Sequence, residues 1–222
     1  MKKASEETKQ YLNELQNSDS LNSKAHLGLL INSAGFLHDI KGSKLYPERK
    51  VEEISMENLS TNFGVSACCS NVKLLHGSSI HLPFQTMQVN TFRPMLMVKH
   101  FTGMLTKSHT PVLFANISAR VGSVEDNRIG GWYSYRASKA AQNQFTKTLS
   151  IELKRRNREA ICVALHPGTV DTNISEPFHR NVCKDKLFSS EYSAEKLLEV
   201  MHNLVSEDTG SYLDYAGKPI LW

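Results

Sequence analysis

Two side chains at helical spacing, Tyr135 and Lys139 in GGWYSYRASKAA (130–141), raise the question of chemistry. Positions i and i+4 of a helix share a face, so the ammonium can act on the phenol. An adjacent positive charge stabilises phenolate and lowers a pKa that starts at about 10. A phenol tuned in this way exchanges protons with a substrate oxygen near neutral pH. Taken alone the pair is weak. The chain carries seven tyrosines, and a tyrosine at a helix start beside a solvated lysine arises by chance.

Placement strengthens it. LGLLIN (27–32) is a short apolar run that ends at Ser33-Ala34-Gly35, PVLFANIS (111–118) ends at Asn116-Ile117-Ser118, and AICVAL (160–165) ends at His166-Pro167-Gly168-Thr169. All three read as buried strands. Between them, residues 88–107 read as a helix with a kink at Pro94. From Tyr135 to Arg156 the residues Ala137, Ala141, Phe145, Leu149 and Leu153 recur every four positions, which gives a long amphipathic helix. Leu197, Leu198, Met201, Leu204 and Val205 form a third helical stripe, and GSYLDYAGKPILW reads as a last strand with a tail. Residues 5–17 open with a serine and two acidic residues and read as a leading helix within 1–26. Alternating strands and helices predict an α/β fold with a Rossmann-like, doubly wound parallel sheet. Ligands of such sheets bind beyond the carboxyl ends of the strands, and that is where Asn32, Ser118, Pro167 and the Tyr135–Lys139 pair gather.

The ordered set INSAG, QVN, Ser118, YxxxK and HPGTVDT resembles the short-chain dehydrogenase/reductase superfamily, and the stretch from Ser118 to Thr172 with the ending GKPILW looks most like its C-factor-type branch. The resemblance covers residues 27–222. It implies an NAD(P)-dependent oxidoreductase that interconverts a carbonyl and a secondary alcohol, with NADP favoured over NAD. Tyr135 is then the acid–base residue, Ser118 hydrogen-bonds the substrate oxygen, Lys139 holds the nicotinamide ribose, and Asn90 holds a water that relays protons to Lys139. Asn32, Ala34, Gly35, Pro167, Gly168 and Thr169 would border the cofactor with Tyr135 and Lys139. It also implies a small-molecule substrate and a homodimer through the helices around 88–107 and 135–156. His166 and Cys162 read as packed residues.

The sequence departs from that family in four places. Ser33 stands where the family has the second asparagine of its NNAG turn, and 17 residues separate Ser118 from Tyr135. Residues 64–87 read as an insertion that splits the fourth-helix region and bulges as a loop. The first strand, its TGxxxGxG turn and the second βα unit are missing, so the sheet is expected to be N-terminally truncated, with LGLLIN as an exposed apolar edge. The absent turn is the one that cradles a pyrophosphate. An inactive, truncated family member acting as an interaction or dimerisation module is therefore the alternative expectation.

Composition limits the rest. The 222 residues suit one domain, and 40% hydrophobic against 22% charged residues suits a globular one. The net charge of +4 is spread out, and no groove-reading motif points to nucleic acid. No apolar run approaches the roughly 20 residues of a membrane span. The four cysteines have no ligand or CxxC spacing, which predicts reduced thiols in a cytoplasmic protein.

Overall fold

The computed structural model describes Glu6, Gln10 and residues 28–33, 86–106, 111–172 and 175–222. In chain order the elements are β1 (Leu29–Asn32), α1 (Arg93–Leu105), β2 (Val112–Ile117), α2 (Tyr133–Arg156), β3 (Ala160–His166), β4 (Thr169–Val170), β5 (Leu187–Phe188), α3 (Ser190–His202) and β6 (Tyr212–Asp214). The main sheet runs β1-β2-β3-β6, and every pairing in it is parallel. Parallel strands need crossovers; α1, α2 and α3 supply them, giving the α/β sheet expected from the alternation.

Side-chain period two divides the core between the faces. Val112, Phe114, Ala160 and Cys162 pack with Val98 of α1 and with Leu149 and Leu153 of α2. Ala115, Ile161, Val163 and Leu165 pack on the opposite face with Leu197 of α3 and Leu213 of β6. The sheet is therefore covered by helices on both sides. In β1, Leu30 joins the first cluster, whereas Leu29 and Ile31 on the other face are 45% and 37% exposed. As expected, β1 is an apolar edge of the sheet among the described residues.

Three details depart from the sequence reading. Pro94 lies in the first turn of α1, and the irregularity lies just before the helix as a π-helical turn at Gln88–Phe92, closed by Arg93 N–H on the Gln88 carbonyl. Proline has no N–H for the carbonyl of Asn90 and crowds it, so the backbone widens there. Thr86 and Met87 are helical and buried, so the segment read as an insertion gives up its last two residues to this helix; the rest of it, like most of the leading helix, lies outside the described residues. The α3 stripe keeps Leu197, Met201 and Leu204 against the core, while Leu198, one step around the helix, and Val205, beyond its end at His202, are more than half exposed. No helix among the described residues is long and apolar enough to cross a membrane.

Candidate active site

Helix α2 is delivered to the sheet by an unusual turn. Gly130, Gly131 and Trp132 all have positive φ, at 69°, 67° and 53°. Glycine takes that region freely, and Trp132 does not, so the turn is held from outside. Arg136 does the holding: its guanidinium donates to the carbonyls of Gly131 (2.8 Å), Gly130 (3.0 Å) and Val121 (3.1 Å). A cation in the first turn opposes the helix dipole, and these three acceptors are the compensation.

The buried face of α2 differs from the stripe of small and apolar residues expected along it. Its first half buries Ser134, Ser138, Lys139, Gln142, Asn143 and Thr146, while Ala137 is exposed and Ala141 half-buried. The sheet dictates this. Register places Asn32 beside Asn116, and Asn32 Nδ2 donates to Asn116 Oδ1 at 2.9 Å. Asn116 Nδ2 donates to Thr146 Oγ1 at 2.9 Å, and Thr146 Oγ1 donates to the Gln142 carbonyl at 2.8 Å. Polar strand ends thus require polar partners on the helix above them.

The reaction residues lie along the same face. Lys139 is 2% exposed, and its Nζ donates to the Ile117 carbonyl (3.0 Å) and to Gln142 Oε1 (2.9 Å). Burial pulls its pKa down to about 7. Asn90, fully buried in the π-helical turn, donates to Ser138 Oγ at 2.9 Å, and Ser138 Oγ donates to the Tyr135 carbonyl at 2.8 Å. Ser118 Oγ donates to Asn143 Oδ1 at 2.5 Å. The half-buried Tyr135 has no side-chain hydrogen bond among the described residues.

The expected coupling between the phenol and the ammonium takes another form. Burial, and secondarily the neighbouring Tyr212, push the Tyr135 phenol well above its ordinary range, and Lys139 directs its amine to Ile117 and Gln142 instead. A buried amine near neutrality carries too little charge to offset the desolvation of a phenolate. Ser118 likewise faces Asn143 rather than Tyr135. Tyr212 lies close to these groups: its hydroxyl donates to the Ala119 carbonyl at 2.5 Å, and burial raises its pKa to about 12, with the nearby Asn143 and Ser118 acting in the opposite direction.

Beyond β3 the HPGT stretch forms a shelf. Gly168 has φ of 80°, and a Cβ there would lie 2.5 Å from the Phe188 ring, so the turn admits only glycine. Thr169 and Val170 pair in parallel with Leu187 and Phe188, and Ser193 Oγ donates to the Pro167 carbonyl at 2.8 Å. Residues 167–169 therefore sit where the sequence placed them, after the end of β3. Ala34 and Gly35 lie outside the described residues. Arg136, Gln142, Asn143 and Tyr212 went unread in the sequence, and Asn116 was read only as a polar strand end. Arg136 left one signal, a cation at a helix start, and the others showed their partners only with the register.

The family model for short chain dehydrogenase matches residues 67–182. The C-signal protein of Myxococcus xanthus is 34% identical over 108 residues, covering 49% of this chain and 60% of that protein. The 1-hydroxy-2-glutathionyl-2-methyl-3-butene dehydrogenase of Rhodococcus sp. strain AD45 is 28% identical over 137 residues, covering 61% of this chain and 57% of that protein. The matches thus span little more than half the length of these curated relatives. Among solved structures, NADPH-bound carbonyl reductase from chicken fatty liver aligns with TM-score 0.71 and 24% identity, over 100% of this chain and 72% of that one. The carbonyl reductase Sniffer of D. melanogaster aligns with TM-score 0.68 and 22% identity, over 100% and 74%. At such identities the structural likeness is one of fold, and it agrees with the sheet described above. With half of its length matched by the family model, the chain belongs to the short-chain dehydrogenase family.

Proposed function

We propose that the protein is an NAD(P)-dependent oxidoreductase that interconverts a small-molecule carbonyl and a secondary alcohol. The observation that carries this reading is the Tyr135 phenol, free of hydrogen bonds among the described residues, one helical turn before the buried Lys139 at the carboxyl edge of the sheet. A raised pKa keeps that phenol protonated at neutral pH, the state required to give a proton to the oxygen of a carbonyl being reduced.

The donors present fit one end of a nicotinamide dinucleotide. The Lys139 amine and Tyr135 phenol suit ribose hydroxyls, and Asn32, Pro167, Gly168 and Thr169 border the same edge. The cofactor would supply the hydride in reduction and accept it in oxidation. Tyr135 gives or takes the proton at the substrate oxygen. Ser118 would hydrogen-bond that oxygen after exchanging its Asn143 partner. Asn90, tied to Ser138 beside Lys139, fits the proposed water relay. Relatives by fold include proteins described with NADPH, NADP and NADH, so the dinucleotide class is supported and NADP remains the favoured member by resemblance alone. Phe92, Met95 and Leu96 on and just before α1 are more than a third exposed and would line the proposed homodimer face.

A specific observation favours a second reading, an inactive interaction module: the Lys139 amine turns to Ile117 and Gln142, and burial raises the Tyr135 phenol instead of lowering it. One experiment separates the two. The purified chain is titrated with NADPH and NADH by calorimetry and assayed for carbonyl reduction, with Tyr135→Phe as control. The first reading expects saturable binding, and turnover lowered at least about 100-fold in Tyr135→Phe with binding kept. A folded chain that binds neither dinucleotide selects the second.

A further inference from the structure

One buried group beside the reaction residues has no part in the proton transfer above. Gln142 lies one turn beyond Lys139 on α2 and is 0% exposed. Its Oε1 accepts from Lys139 Nζ at 2.9 Å, while its Nε2 has no hydrogen-bond partner among the described residues. A lysine amine at its charged end offers donors only, so Lys139 decides which way the amide faces. The price is an orphaned N–H in the core, which native structures avoid without a reason. A leucine or methionine would fill similar space with no orphaned group, so packing alone does not account for a glutamine here. The contact with the amine does.

The surroundings leave Gln142 that role. The Lys139 amine has two acceptors, Gln142 Oε1 and the Ile117 carbonyl of β2. The turn at Arg120–Gly122 presses the Gly122 backbone against the base of the lysine side chain, and Asn90 of the π-helical turn bonds Ser138 next to it. Tyr135 is the titratable side chain that shares its helix face. Among the described residues no charged group shifts its titration, which burial lowers, so the neutral contact with Gln142 is the one a substitution can vary.

We propose that Gln142 is a positioning residue for Lys139: its side-chain carbonyl holds the amine at the carboxyl end of β2 and sets how readily that amine takes up a proton. The significance for catalysis rests on Lys139 belonging to the reaction site, but the contact itself can be tested without turnover. The test follows the Lys139 ε-methylene of the full chain by proton–carbon NMR from about pH 5 to 11, assigned with Lys139→Met, in wild type, Gln142→Met and Gln142→Glu. Removing the acceptor disfavours the ammonium, so Gln142→Met moves the midpoint down, by roughly threefold in proton affinity or more. A carboxylate in its place favours the ammonium, so Gln142→Glu moves it up, by about tenfold or more. A residue that merely fills space cannot shift the titration in opposite directions.

Midpoints that move together, or that stay where the wild type has them, overturn the proposal. If Gln142→Glu does not fold, Gln142→Asn withdraws the carbonyl by one methylene and must shift the midpoint downward with Gln142→Met. Opposite shifts in a chain that binds no dinucleotide would uphold Gln142 and reject the enzyme reading, so the two failures are distinguishable.

Discussion

Over its first four turns α2 buries Ser134, Ser138, Lys139, Gln142, Asn143 and Thr146, whereas over the rest it buries Leu149, Ser150 and Leu153. Both halves pack on the same face of the same sheet. The first lies over the carboxyl ends of the strands, where Asn32, Asn116 and the Ile117 carbonyl seek partners; the second lies over Val112, Phe114, Ala160 and Cys162. A satisfied hydrogen bond contributes about 0.5–1.5 kcal/mol net, and an orphaned buried group costs about 1–3 kcal/mol. The first half carries orphans at Gln142 Nε2 and Asn143 Nδ2. It is therefore a poor source of stability, and the second half must anchor the helix. A site and its anchor can share one continuous helix because they occupy opposite ends of the strands.

The largest expected effect tests the anchor. Leu153 is 0% exposed in the cluster with Val112, Phe114 and Leu149. Leu153→Ala should lower unfolding free energy by about 2–5 kcal/mol, read by urea denaturation, while leaving the Lys139 titration where it is. A loss below about 1 kcal/mol would mean that the cluster does not hold the helix, and the contrast between the halves would fail.

How far the sequence revealed this contrast differs between the halves. Leu149 and Leu153 were legible because apolar residues at spacing four mark a buried stripe, and the strands were legible from short apolar runs with polar or turn-forming ends. Tyr135, Lys139, Asn90 and the 167–169 turn were placed by motif. The polar face was not legible. Extending the stripe backward selects Ala141 and Ala137, one step around the helix from what is buried, because hydrophobic periodicity has no term for a strand end that presents asparagine. Nor could the lysine's partners be read, since Gln142 and Ile117 become its acceptors only once β2 is in register beneath α2. The π-helical turn is a similar case: Pro94 announced an irregularity, but the deformation falls on the residues before it, where the missing N–H is felt.

The next prediction concerns the cost of the first half. Lys139 has a folded pKa of about 7, against about 10.4 in an unfolded chain. Between those values the unfolded state binds more protons, so stability rises with pH through this window, and the full penalty for burying the amine is present below it. Stability measured by urea at pH 7 and at pH 9.5 should increase in the wild type by up to about 3 kcal/mol relative to Lys139→Met. The window stops short of pH 10 because the raised phenols of Tyr135 and Tyr212 act with opposite sign above it. Equal slopes in the two proteins would place the amine in water and remove the physical basis of the polar half.

A smaller effect examines the join between loop and helix. Gly122 has ordinary backbone angles for any residue, so its constraint is space: a Cβ there would lie 2.8 Å from Lys139 Cβ, 2.9 Å from the Lys139 carbonyl carbon and 3.0 Å from Asn143 Nδ2. Two of those atoms belong to the base of a helix residue and cannot swing away. Gly122→Ala should therefore cost about 1–3 kcal/mol, by moving the Arg120–Gly122 turn off α2. Because Arg136 ties Val121 to Gly130 and Gly131, that displacement travels into the turn that launches the helix. The expected signature is a modest stability loss together with a changed Lys139 titration, the reverse of the pattern expected for Leu153→Ala. If Gly122→Ala lowers stability and leaves the lysine untouched, the turn is packed on the helix without positioning it, and the two halves differ in composition but not in what they control.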